Sequence, residues 1–138
     1  MKQETTQNII KRSKSTKLLA EEWEHVYIDI YRKLNETKEW RSLRANNTIF
    51  IFKKVDKIAA GYVFTVDPPL LQGKNFVEFA KSLGKAGFEY FSTYVNNPIP
   101  LKFVQDAGYE VEIGEIIGDD EFAEVAISTA TAEGEPSE

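Results

Sequence analysis

Hydrophobic positions along the chain change period several times, and each change predicts an element. Leu19, Trp23, Val26, Tyr27, Ile30 and Leu34 recur at spacings of three and four, with Glu21, Glu22, Asp29 and Lys33 on the other faces. That spacing predicts an amphipathic helix with one stripe on a core. Ahead of it, residues Asn8 to Lys14 predict a short first strand, and Ser13, Ser15 and Thr16 form a polar turn able to cap the helix. Behind it, a second short helix is expected through Trp40 and Leu43, ending near Asn46 and Asn47, which tolerate turn backbone.

The period then falls to two. The segments NTIFIFKK and KIAAGYVFTVD are rich in β-branched and aromatic residues and predict an antiparallel hairpin, stopped by Asp67, Pro68 and Pro69 because proline cannot donate to a ladder. From Asn75 the helical period returns with Phe76, Phe79, Ala80 and Leu83, until Gly84 and Gly87 end it. FEYFSTYV follows with apolar residues on both faces, the pattern of a central strand covered on two sides. A further helix is expected after Asn97, then YEVEIGEII and FAEVAIS as strands around the turn residues Gly118, Asp119 and Asp120. The order β-α-α-β-β-α-β-α-β-β predicts an α/β sheet protein with helices on both faces, one domain over residues 1–128 and a disordered acidic tail over 129–138.

Composition narrows the chemistry. A chain of 138 residues is long enough for one domain with a real core, and 42% hydrophobic with 28% charged residues is ordinary for a globular protein. The absence of cysteine excludes disulfides and thiol nucleophiles, and with His25 as the lone histidine no metal site is expected. His25 lies one turn from Glu21 and Asp29, which favours a charge-paired surface role. No segment is apolar for long enough to serve as a signal peptide or to span a bilayer, so a cytoplasmic protein without membrane attachment is expected. The net charge of −5 disfavours nucleic acid, although Lys11, Arg12, Lys14 and Lys17 crowd one end and no Lys or Arg follows Lys102.

The stretch NNPIPLKFVQDAGYEV, Asn96 to Val111, carries the most specific pattern. Asn97 can cap a helix, Pro98 and Pro100 fall in its first turn where N–H groups lack intrahelical partners, and Gly108 suits the left-handed stop before Tyr109. Ile99, Phe103 and Ala107 share a face at spacing four. This strand, Asn-capped helix, Gly-aromatic, strand unit resembles the C-terminal half of the GNAT acetyltransferase superfamily, whose pattern runs N-x-x-A-x-x-[FL]-Y-x-x-x-G-F. Asn97, Phe103, Gly108 and Tyr109 stand at matching spacings, while Pro100 replaces the small residue and Val104 the tyrosine.

The resemblance covers residues 8–128 and implies a GNAT-like mixed, mostly antiparallel central sheet. The family usually places three strands between its second and third helices, where only two are legible here. It also implies acetyl-CoA as cofactor. The family loop Q/R-x-x-G-x-G/A, which opens the third helix and meets the pyrophosphate, is matched by LLQGKNFV, Leu70 to Val77. On that resemblance the coenzyme would be held by Val66, Gly73, Lys74, Asn75 and Phe76, with Asn97 and Phe103. Asn75 and Glu78 are also a helix-start pair of the capping-box kind, which needs no ligand.

For catalysis, Asp67 at a strand end is the candidate base and equally part of an Asp-Pro-Pro turn. Val104 cannot protonate a leaving thiolate. Tyr94 is the candidate substitute and Tyr109 the other nearby tyrosine, each also explained as a packed strand residue. Two readings stay open. One is a GNAT-fold protein with eroded motifs that binds a protein partner, similar to the internal virion proteins of short-tailed bacteriophages, which would place it in the host cytoplasm or the virion. The other is an acetyl-CoA-dependent N-acetyltransferase acting on a small or peptide amine.

Overall fold

The computed structural model describes residues 5–13, 17–95, 99–117 and 122–131. It opens with two helices, α1 (Thr6–Arg12) and α2 (Lys17–Glu36). Three strands follow, β1 (Trp40–Ala45), β2 (Thr48–Val55) and β3 (Ile58–Thr65), then α3 (Pro69–Lys85), β4 (Tyr90–Val95), α4 (Ile99–Asp106), β5 (Tyr109–Ile117) and β6 (Phe122–Thr131). The strands form one six-stranded sheet in the order β1-β2-β3-β4-β6-β5, antiparallel at every step except β3 with β4. That parallel pair is joined by α3, as a parallel crossover requires.

The sheet has a core on each face. Phe50, Phe52, Ala59, Phe91, Val125 and Ile127 point toward α3 and α4, where they meet Phe76, Phe79, Leu83, Leu101 and Val104. Ile49, Ile51 and Phe64 point the other way, onto Ile9 and Ile10 of α1 and Ile30 of α2. β2 is therefore buried from Thr48 to Phe52 without a break. Phe50 sits at the centre of an aromatic cluster, stacked on Phe79 at 4.0 Å and edge-on to Phe76 and Phe91.

Several sequence expectations need correction. The first strand is instead the helix α1, started by the Thr5 hydroxyl, which accepts from the Asn8 N–H at 3.2 Å, and favoured by Lys11 and Arg12 in its last turn. The Ile9–Ile10 pair suggested a strand, but complete burial of both side chains under the sheet outweighs that propensity. The second short helix is instead β1, paired with β2 from Trp40↔Lys53 to Ala45↔Thr48. It is the third strand the resemblance called for. Asn46, at φ 54°, makes the hairpin turn that looked like a helix end.

The third correction concerns α3, which begins at Pro69 and not at Asn75. Pro69 occupies the first helical position, where a missing N–H costs nothing. At the other strands, β4 is central but only half covered: Phe91 and Thr93 are buried while Tyr90 and Tyr94 are exposed. In α4 the buried side chains are Pro100, Leu101 and Val104, so the packed face is not the one through Ile99 and Ala107. Gly108, at φ 97°, ends α4 as expected. β6 runs on to Thr131, and Thr129 is anchored by bonds to the Phe88 and Glu89 carbonyls, so residues 129–131, expected in the tail, belong to the sheet. Residues 132–138, the turn at 118–120, and Asn97 with Pro98 lie outside the described residues. No helix of the described residues is long and apolar enough to cross a membrane.

Candidate functional site at the parting of β3 and β4

β3 and β4 pair only at Ile58↔Tyr90, Ala59↔Phe91 and Ala60↔Ser92. Beyond Ala60 and Ser92 the two strands run on to Thr65 and Val95 without pairing to each other. The Val66 N–H donates to the Asn47 carbonyl on the β2 side. Backbone groups alternate along a strand, so those of Gly61, Val63 and Thr65 face the opposite way, into this gap.

Two of those groups already have protein partners. The Thr93 hydroxyl donates to the Gly61 carbonyl at 2.9 Å, and the Thr65 N–H donates to the Ser13 hydroxyl at 3.1 Å. Ser13, at the end of α1, thus reaches across to the strand edge. Neither role of Thr93 and Ser13 is legible in the sequence, because nothing local marks a hydroxyl as the partner of a distant backbone group.

Above the gap, at the start of α3, lies a buried polar network. Asp67 Oδ2 accepts from the Asn47 N–H at 3.0 Å, the Thr48 hydroxyl at 2.8 Å and the Asn75 side-chain amide at 2.9 Å. The Asn75 amide also donates to Thr48 Oγ1, and Asn75 Oδ1 accepts from the Asn46 side chain. Gln72 turns back to the Asp67 carbonyl at 2.7 Å, and Arg44 braces Asn46 and Asn47. Among the described residues no buried side-chain nitrogen or oxygen is left without a hydrogen-bond partner. The network fastens the β1–β2 turn to the β3–α3 corner.

The candidate coenzyme residues divide between helix and core. Gly73, Lys74, Asn75 and Phe76 all lie inside α3, with Lys74 exposed and the other three buried. Counted from Gln72, the glycine positions of the loop pattern fall on Asn75 and Val77, which are only 1% and 9% exposed. Phe103 of α4 lies directly over Gly73: a Cβ there would stand 2.6 Å from the Phe103 Cβ and 2.8 Å from its ring. The glycine allows two helices to touch. Val66 is half-buried against the α1–α2 core.

The two candidate catalytic side chains are not brought together. Asp67 is bonded to Thr48 and Asn75 on the α3 side of the sheet. Tyr94 alternates with the buried Thr93 and so points from the opposite face, 48% exposed. Val104 is fully buried in the core. Tyr109 is also in that core; burial and then the nearby Glu78 raise its pKa above the ordinary tyrosine value. Among the described residues no group of three or more His, Asp or Glu side chains could hold a metal ion.

The contact at Gly73 is testable by itself. Gly73→Ala is expected to lower stability by about 1 to 2 kcal/mol, the overlap outweighing the gain in helix propensity. In a Phe103→Ala background the same change should cost less, because the ring atoms are gone and the Phe103 Cβ remains. Chemical denaturation of the four proteins measures both; a stabilising Gly73→Ala would contradict the packing described.

Neither a family model nor a curated protein matches this sequence. Solved structures do. A probable acetyltransferase from Staphylococcus epidermidis is similar at 16% identity over 90% of this chain and 91% of that one, with a TM-score of 0.58. An acetyltransferase of the GNAT family from Streptococcus pneumoniae is similar at 13% identity over 88% and 87% of the two chains, TM-score 0.49. The microcin C7 self-immunity acetyltransferase MccE, solved in complex with acetyl-CoA and AMP, is similar at 12% identity over 88% and 79%, TM-score 0.49. At these identities the likeness establishes the fold, and it rests on the first of the three. The chain has a GNAT-like α/β fold.

Proposed function

We propose that this chain is a non-catalytic member of the GNAT fold whose role is to bind another protein. One observation carries the reading: α3 starts four residues before Gly73. A phosphate cradle needs backbone N–H groups free to turn toward the ligand. At Gly73, Lys74 and Asn75 those groups lie beyond the first turn and bond within the helix. Proline at the first helical position removes another donor, and the Gln72 N–H returns to the Pro68 carbonyl at 2.9 Å. The Asp67 carboxylate also sits beside the helix start, where it opposes an incoming anion.

The residues present therefore do not fit the pyrophosphate of acetyl-CoA. The side chains that might have met it serve the fold: Gly73 admits Phe103, and Asn75 completes the Asp67 network. Asp67 as a base is disfavoured for the same reason, with three donors directed at one oxygen. Tyr94 as a general acid has no partner across the sheet in Asp67. The likeness to virion proteins gains no support from the structures named above, which are acetyltransferases by their descriptions, and the proposal does not depend on it.

The parting of β3 and β4 favours a second reading, an acetyl-CoA-dependent N-acetyltransferase that uses the gap without a phosphate cradle. Thiol release distinguishes the two. With acetyl-CoA and a panel of small and peptide amines, the binding-protein reading expects no free thiol above uncatalysed hydrolysis. Enzyme-dependent release that saturates with coenzyme would establish the second reading instead.

A further inference from the structure

Among the described residues, the sheet face opposite α3 and α4 is covered by helices over β1 to β3, where α1 and α2 pack, and no helix packs on it over β4, β6 and β5. Strand register orders the side chains there into rows. Ala60, Ser92, Ala126 and Glu112 are aligned neighbours across β3, β4, β6 and β5. Ile58, Tyr90 and Ser128 form the row on one side, and Tyr94 with Glu124 the row on the other, while Tyr62 lies two residues beyond Ala60 where β3 has parted from β4. Ala60, Ser92 and Ala126 thus floor a shallow trough that crosses the strands to Glu112, with Tyr90 on one side and Tyr94 on the other.

The trough is amphipathic and acidic. Tyr62, Tyr90 and Tyr94 are 44%, 44% and 48% exposed. Glu110, Glu112 and Glu124 are exposed at its far side, and among the described residues no lysine or arginine forms an ion pair with them. The nearby Lys57 is already beside Glu89, at 3.7 Å. At the α2 border the protein shows what such rings accept: the Lys33 ammonium lies 4.8 Å from the Trp40 ring and 5.6 Å from that of Tyr62. No lysine or arginine of the described residues is seated over Tyr90 or Tyr94 in this way.

We infer that this trough docks an extended, Lys- or Arg-bearing segment of a partner protein. Tyrosine faces attract cations, most where water is excluded, and the glutamates supply the opposite charge at the rim. Four strands at about 4.8 Å spacing span roughly 14 Å, the length of about four extended residues. A small amine on so open a floor keeps most of its water and gains little, whereas a chain segment covers the floor and places successive cations on Tyr94 and Glu124. The chain's own basic helix is a poor occupant, because Lys11 is already over the Trp23 ring at 5.2 Å. The inference names the partner class for the binding-protein reading and rests on it, but it concerns the face opposite the candidate coenzyme site.

The test is fluorescence anisotropy with a labelled heptapeptide of alternating lysine and threonine, against its glutamate counterpart. The lysine peptide should bind, more weakly at about 200 mM salt than at about 50 mM. The glutamate peptide and competing n-butylamine should have no effect. Tyr94→Ala with Glu124→Gln, both surface changes, should weaken binding about tenfold. Equal binding of the two peptides, no binding, displacement by butylamine, or an unaffected double variant would overturn the proposal. So would a dimer, seen by sedimentation, that the double variant abolishes. If thiol release is observed while the lysine peptide still binds, the trough stands and the non-catalytic reading falls; peptide failure without thiol release removes the trough alone.

Discussion

Gly61→Ala is expected to cost about 3 kcal/mol, roughly 10 °C in melting temperature, the largest loss from adding one methyl group anywhere in the sheet. A Cβ at Gly61 would stand 1.8 Å from the Ile51 carbonyl oxygen and 2.7 Å from the Phe52 Cα. Both atoms belong to the backbone of β2, which is held from both sides, Ile51 in one core and Phe50 with Phe52 in the other. The strand has nowhere to retreat, so β3 must move. Moving β3 also disturbs the Gly61 carbonyl that takes the Thr93 hydroxyl at the head of the gap. Gly114→Ala is a control in the same sheet, with its nearest contact at 3.4 Å, and should cost far less. Similar losses for the two variants would show that β2 and β3 are not as closely set as described.

The second large effect is expected at Asp67. Asp67→Ala leaves the Asn47 N–H, the Thr48 hydroxyl and the Asn75 amide without the oxygen they share. Buried donors left unpaired cost about 1 to 3 kcal/mol each, and since Thr48 and Asn75 still bond each other the total should be about 3 kcal/mol. Asp67→Asn keeps an acceptor oxygen of the same reach and should lose roughly half as much. Thermal and denaturant unfolding measure both. A base held ready for chemistry would behave in the opposite way, with Asp67→Ala leaving stability unchanged or improved.

How far the sequence could be read depended on whether its signals were local. The α2 stripe, the β2–β3 hairpin and the Gly108 stop were legible because spacing or backbone conformation fixed each one on its own. α1 and β1 were misread where local propensity and tertiary setting disagreed. Ile9 and Ile10 favour a strand until the sheet buries them, and Trp40 and Leu43 have a helical spacing until β1 pairs with β2. The start of α3 was misplaced for a different reason. Two prolines followed by leucines read as a stop, although proline at the first helical position is also a start. The same ambiguity hides from the sequence that LLQGKNFV, with Gly73 and Asn75, lies inside α3. Their roles depend on Phe103, Thr48 and Asp67, which no local pattern connects to them.

The valine at position 104, where the family pattern has a tyrosine, is readable from the sequence alone. The burial of Gly73 and Asn75 within α3 is not, since it follows from where the helix begins, and neither is the way the hydroxyls of Thr93 and Ser13 meet backbone groups that face the gap. In this GNAT-like fold Gly73 and Asn75 take part in the chain's own packing and hydrogen bonding.

The most direct test is amide-resolved NMR spectroscopy during titration with acetyl-CoA to about 1 mM, a concentration at which even a weak specific site fills appreciably. The reading proposed above predicts that the amide signals of Gly61, Thr65, Gly73, Lys74 and Asn75 stay where they are. Saturable movement of those signals would contradict it and return the gap between β3 and β4 to coenzyme chemistry.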